Sequence, residues 1–179
     1  MNKLSLTLLT LAFTFAFAYF GPAGLDLTSS RSGGDAAAAD SADAAYFRLP
    51  AANGGELDLA SYSGKPVMVM FFTETCPYCR KAGPALEKLS KEYGAKGLNV
   101  VGISIEDAPE GPLNFARDLA VSFPLAYGGM EVYRRYRAQG VPYIYLLDRG
   151  HKLYDVWEGY DESYDPAMRT SVEAVLSGK

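Results

Sequence analysis

Two thiols three residues apart, Cys76 and Cys79, carry the most evident chemistry in this chain, and they are its only cysteines. Such a pair can hold a metal, staple a loop or pass between dithiol and disulfide. A structural zinc site takes about four ligands, and the single histidine, His151, leaves the set short, so no metal site is expected. A disulfide across Pro77 and Tyr78 would close a very small loop, removing little entropy from the unfolded chain and stabilising the fold weakly. Reversible redox use is the reading left for the pair.

The elements that must position these thiols are legible on either side. Val67-Met68-Val69-Met70-Phe71-Phe72 is an unbroken apolar run, the pattern of a strand covered on both faces. After the pair, Ala82, Ala85, Leu86, Leu89 and Tyr93 recur at the spacing of one helical face. The cysteines therefore fall in the first turn of a helix, where unpaired backbone N–H groups and the positive end of the helix dipole favour a thiolate at Cys76. Pro77 suits that turn, because its fixed φ fits the first helical position and its missing N–H leaves no donor unpaired.

The other elements follow from periodicity and turn residues. Residues 47–50 and 56–59 flank Asn53-Gly54-Gly55 and predict a hairpin, while Gly94 is the expected end of the helix that carries the thiols. Residues 98–105 predict a second buried strand. Residues 109–120 predict a helix with Leu113, Ala116 and Leu119 or Ala120 facing inward, and residues 129–137 a shorter one. Residues 141–147 read as a strand, Asp148-Arg149-Gly150 as a turn and residues 152–157 as its antiparallel partner. In the last helix Asp165 is the expected cap, Pro166 the first residue, and Met168, Val172, Val175 and Leu176 the apolar stripe. Strands separated by helices, then a hairpin and a terminal helix, predict an α/β sandwich around a mixed sheet.

Composition bounds what this sandwich is attached to. The chain has 179 residues, 49% of them apolar and 13% aromatic, which suits one domain with appendages. Its net charge of −4 and lack of a dense Lys/Arg run give no electrostatic footprint for nucleic acid. Arg134, Arg135 and Arg137 cluster within a helical pattern and read as a solvated face. At the N-terminus, Lys3 precedes an uncharged stretch over residues 4–20, the composition of an export signal. Ala16-Phe17-Ala18 offers a small-x-small cleavage motif, yet the stretch also reaches the lower length limit of a membrane-spanning helix, so a cleaved signal peptide and a retained membrane anchor both stay open. Either outcome places the rest of the chain outside the cytoplasm, in the periplasm or cell envelope. Residues 21–45, rich in Gly, Ala, Ser and Asp and free of aromatics, read as a flexible tether, and residues 46–179 as the folded domain.

Taken in order, the strand leading into Cys76-Pro77-Tyr78-Cys79, then Pro84, then Gly140-Val141-Pro142 before the late strand resemble the thioredoxin-like thiol–disulfide oxidoreductases, and more closely their exported TlpA/ResA type. The resemblance covers residues 46–179. It implies a thioredoxin-like sandwich whose central mixed sheet is flanked by helices, with the N-terminal hairpin as an extension. It also implies a cis Val141–Pro142 bond facing the dithiol, with Cys76 and Cys79 catalytic and Pro77, Tyr78, Val141 and Pro142 binding the substrate. The backbone of Val141 would pair with an extended substrate segment by strand addition. No cofactor is implied. Protein disulfides are the implied substrates and a membrane electron-donor carrier the implied source of reducing equivalents.

Departures from that pattern are specific. Where many relatives keep a carboxylate to exchange a proton with the buried thiol, this chain has Met70 and Ala82; Thr75 replaces the usual Trp before the first cysteine, and Tyr143 the Glu found after Val-Pro in relatives that mature c-type cytochromes. Glu74, at the loop edge, is the nearest acid in sequence. The expected activity is a thiol–disulfide oxidoreductase in which Cys76 attacks and Cys79 resolves, running as a reductase. Two competitors remain. A thiol peroxidase finds half its motif in Thr73-x-x-Cys76 but has Val69 where it needs proline. A copper-delivery protein would draw on His151 but usually spaces its cysteines by three residues.

Overall fold

The computed structural model describes residues 46–178; the expected signal segment over 1–20 and tether over 21–45 lie outside them. The first two strands, β1 (Arg48–Pro50) and β2 (Glu56–Asp58), pair antiparallel with Leu49 opposite Leu57. Their turn needs left-handed backbone at Gly54 (φ 97°) and Gly55 (φ 79°), which glycine adopts without steric cost. The apolar run becomes β3 (Val67–Phe72), buried at every residue. After it come α1 (Pro77–Tyr93), β4 (Asn99–Ser104), α2 (Glu110–Leu119), the short β5 (Leu125–Ala126), α3 (Met130–Arg135), β6 (Tyr143–Leu147), β7 (Leu153–Glu158) and α4 (Asp165–Leu176). The main sheet runs β5-β4-β3-β6-β7, with β4 parallel to both β3 and β5, and β6 antiparallel to both β3 and β7.

Covering on both faces explains why β3 has no polar alternation. On one face Met68, Met70, Phe72, Ile144 and Leu146 pack with Leu86 of α1, Phe115 of α2 and Met168 and Val172 of α4. On the other, Val69, Phe71, Ile103, Tyr143 and Tyr145 pack with Phe47, Leu57, Leu59 and Val132 of α3. The hairpin also reaches the β5 edge of the sheet: Ala51 bridges Ala126, and Ala52 N–H donates to the Leu125 carbonyl at 2.8 Å. That occupies backbone groups an open edge would leave free. The architecture is the α/β sandwich with a central mixed sheet, flanking helices and an N-terminal hairpin that the resemblance implies. No helix among the described residues is long and apolar enough to cross a membrane.

Two local readings are corrected, and a third holds with an addition. Leu113 does not face inward; it is 43% exposed, and α2 instead buries Gly111, Pro112 and Phe115 with Ala116 and Leu119 packed behind them. The stripe is set by Phe115, whose ring sits 4.5 Å from that of Phe72 and fills the space above Gly83. Asp165 is not the cap of α4: Tyr164 holds that position, while the Asp165 carboxylate accepts a hydrogen bond from Tyr160 at 2.9 Å. The chain starts to turn earlier, in a 3-10 turn over Glu162–Tyr164 that Asp161 caps through the Ser163 N–H. Gly94 ends α1 but not the helical path, which continues as a 3-10 turn to Lys96 and stops at left-handed Gly97 (φ 107°).

Candidate redox site

Both thiols sit where β3 hands over to α1. Cys76 is the N-cap of α1: its backbone is extended (φ −66°, ψ 118°) and its Sγ accepts the Cys79 N–H at 3.3 Å, the bond a Ser or Asp oxygen makes at other helix starts. Pro77 is the first helical residue and is exposed; Tyr78 beside it is 58% exposed, its ring approached by Lys81 Nζ at 5.7 Å. Cys76 is half-buried and Cys79 is fully buried, and both are free thiols. The pair thus leaves one cysteine partly accessible and shields the other.

The late strand completes the site. Val141–Pro142 is a cis peptide, and the Cys76 S–H donates to the Val141 carbonyl at 3.3 Å. Pro142 is buried and Val141 half-buried, packed against both core clusters. All six residues expected at the site are therefore brought to one end of the sheet, the carboxyl end of β3. His151 is not. It lies in the turn between β6 and β7, beyond Leu147, which pairs with the first residue of β3, and its Nε2 is 3.2 Å from the Tyr62 carbonyl oxygen. A copper-delivery reading thereby loses its histidine.

Electrostatically the two sulfurs differ through burial. Removal from water pushes the Cys79 thiol well above the ordinary cysteine range, and its interaction with Cys76 adds to this, while the Thr73 backbone opposes it. No carboxylate is among these influences. Met70 and Ala82, the positions where an acid was missing from the sequence pattern, are both fully buried in the apolar cluster that contains Cys79.

Sequence reading missed a small polar bracket behind the loop. Glu106, just past β4, accepts the Glu74 N–H at 2.9 Å and the Ser104 hydroxyl at 3.0 Å with the same carboxylate oxygen, and its own N–H donates back to the Ser104 hydroxyl at 3.2 Å. The loop from Thr73 to Cys76 is held further by a 3.4 Å bond from Cys76 N–H to the Thr73 carbonyl. Glu74 therefore contributes its backbone to the loop. The available signal was Ser104, a hydroxyl closing the apolar run Val100–Ile103, with an acid two residues on.

Residues 41–172 match the AhpC/TSA family. The thioredoxin-like protein YneN of Bacillus subtilis is 30% identical over 116 residues, which make up 63% of this chain and 68% of that protein. The thiol-disulfide oxidoreductase ResA of Bacillus thuringiensis is 25% identical over 112 residues, 62% of this chain and 65% of that protein, a little under two thirds of its length. Among solved structures, a Chlorobium tepidum protein described as a thiol:disulfide interchange protein of the DsbE type superposes with a TM-score of 0.69 at 25% identity, covering 73% of this chain and 93% of that one. A capping thiol, a buried partner and a facing cis-proline in a sandwich of this topology go with those likenesses, and the chain belongs to the AhpC/TSA family, with a thioredoxin-like fold.

Proposed function

We propose that this chain is a thiol–disulfide oxidoreductase that reduces protein disulfides outside the cytoplasm. The observation that carries the reading is the asymmetry of the pair: Cys76 caps a helix and is only half-buried, and Cys79, one helical turn on, is fully buried. In the first step the Cys76 thiolate attacks one sulfur of a substrate disulfide, a Cys76–substrate bond forms, the substrate S–S bond breaks, and the second substrate sulfur leaves as a thiolate and takes up a proton. The backbone of Val141, 3.3 Å from Cys76 Sγ, suits an extended substrate strand laid across the site, with Pro77, Tyr78 and Pro142 as its side walls. Cys79 then loses its proton and attacks Cys76 Sγ; the Cys76–Cys79 disulfide forms, the Cys76–substrate bond breaks, and the substrate sulfur that was held in it departs as a thiolate and takes up a proton. Two electrons pass from the dithiol to the substrate in each cycle. A dithiol donor must restore the pair, and a membrane electron carrier fits that role. Residues 1–20 would direct export, as a cleaved signal or as an anchor through residues 4–20, with residues 21–45 as the tether.

The full-length chain, reduced and mixed with a disulfide-bonded protein substrate, is expected to reduce it. Cys76→Ser should lower the rate at least about a hundredfold, and Cys79→Ser should accumulate a Cys76–substrate mixed disulfide visible on a non-reducing gel. Full activity in Cys76→Ser would overturn the assignment. The same assay run with hydrogen peroxide addresses the peroxidase alternative, against which stands the fact that Thr73 meets Cys76 through its carbonyl.

A further inference from the structure

We infer that α3 and the residues that follow it form a docking surface for acidic polypeptide, so that the preferred substrates carry Asp or Glu near the disulfide; this rests on the oxidoreductase reading above. Arg134, Arg135 and Arg137 are all exposed, and none makes an ion pair or a side-chain hydrogen bond among the described residues. The other charge on the helix, Glu131, leaves the segment with a net positive charge. Elsewhere in the described chain arginines are engaged: Arg48 with Asp58, Arg80 with Asp118, Arg169 with Glu92 and Arg149 with the Leu176 carbonyl. Three exposed guanidinium groups without an ion-pair partner among the described residues, in a chain of net charge −4, need a reason, and their place supplies one.

That place is beside the redox site. The inner side of α3 sits on Phe71, near the end of β3: the Tyr133 and Tyr136 rings meet it edge-on at 5.7 and 5.2 Å. Tyr145 of β6 locks the same turn by donating its hydroxyl to the Tyr136 carbonyl at 2.6 Å. With the aromatic side pinned, the arginines are left on the outside. The chain then runs from Arg137, in left-handed backbone (φ 56°), to Val141, the residue whose carbonyl accepts from Cys76. Four peptide links span at most about 15 Å, so Arg137 lies within that distance of Val141. A substrate strand paired with Val141 would pass the arginines on one side. Guanidinium forks suit carboxylates because they bind both oxygens at once. An anionic lipid surface offers charge too, but a membrane seated on this face would crowd the entrance to Cys76, which favours an acidic polypeptide.

The test uses the full-length reduced chain and three disulfide-bonded peptides differing only in flanking Asp, Ser or Lys residues. The acidic peptide should be reduced about tenfold faster than the neutral one at low ionic strength, and the basic one more slowly, with the spread collapsing in about 0.5 M salt, where screening reaches a few ångströms. The triple variant Arg134→Glu, Arg135→Glu, Arg137→Glu should invert the order. Arg134→Gln with Arg135→Gln, a milder change, should flatten it if the triple variant fails to fold. Equal rates for all three peptides in the unmodified chain would overturn the docking surface while leaving the oxidoreductase reading intact; no reduction of any peptide would overturn both. Equal rates that become unequal when Asp35, Asp40 and Asp43 are changed to Asn would assign the arginines to the chain's own N-terminal segment and overturn the proposal. So would equal rates together with arginine-dependent binding to phosphatidylserine vesicles.

Discussion

At the scale of single residues, the chemistry turns on Cys79. Cys76 caps α1 and is half-buried, whereas Cys79 is fully buried, and burial works against its thiolate with no carboxylate among the influences on it. A thiol whose proton is held more tightly than usual exposes its nucleophile only as pH rises, so the second step should accelerate with pH through the neutral and mildly alkaline range. Met70→Asp or Ala82→Glu, each placing a carboxylate in the apolar cluster around Cys79, should quicken breakdown of the Cys76–substrate adduct near neutral pH and flatten that pH dependence. A cost in stability is expected, since these sites are fully buried and an ionised carboxylate is expensive there. Quenched-flow trapping of the adduct measures the rate, and no acceleration in a folded variant would mean that proton removal from Cys79 does not limit the step. The absence of the acid was legible from residue types alone, because Met70 and Ala82 occupy recognisable offsets from the thiols. The Glu106 bracket was not: its carboxylate meets Glu74 across two separate strands, and no local spacing encodes that contact.

At the scale of elements, the redox loop depends on how closely α3 approaches β4. Gly129 opens α3, donates to the Ser104 carbonyl at 2.9 Å, and stands where a Cβ would overlap Ile103 Cγ2 and lie 2.9 Å from that same carbonyl oxygen. Backbone cannot yield as a side chain can, so Gly129→Ala should destabilise the protein by about 1–3 kcal/mol in urea unfolding. Gly140→Ala, with nothing within 4 Å of its added Cβ, is the control and should stay within about 0.5 kcal/mol. Equal stability of the two variants would contradict the close packing of α3 on β4. Element type and order were readable from hydrophobic period, since β3, β4 and α1 follow single strong patterns. The errors fell where periodicity was split. On α2 both Leu113 and Phe115 are apolar, and only the cavity above Gly83 decides which turns inward. At α4 two aspartates compete to start the turn, and Tyr160 draws Asp165 away from capping. The two-residue β5 was too short to carry any period and exists because β4 and the hairpin offer it partners.

At the scale of the whole molecule, a sheet covered on both faces carries the dithiol at one end, and the proline loop meets it there, with the Tyr133 and Tyr136 rings packed on Phe71 near the same end of β3. The overall charge of −4 would repel an acidic partner, so a positive surface beside Cys76 would orient as well as attract it. Whether the assembled site donates or withdraws electrons is decided by the potential of its couple, and a reductase must donate. Equilibrating the protein against glutathione at defined ratios, with Cys76 and Cys79 read by alkylation and mass, gives that potential directly. A donor pair should form a Cys76–Cys79 disulfide with a potential below about −180 mV, on the reducing side of protein disulfide isomerase. A value near about −120 mV, where strong oxidants such as DsbA lie, or no intramolecular disulfide at all, would contradict it.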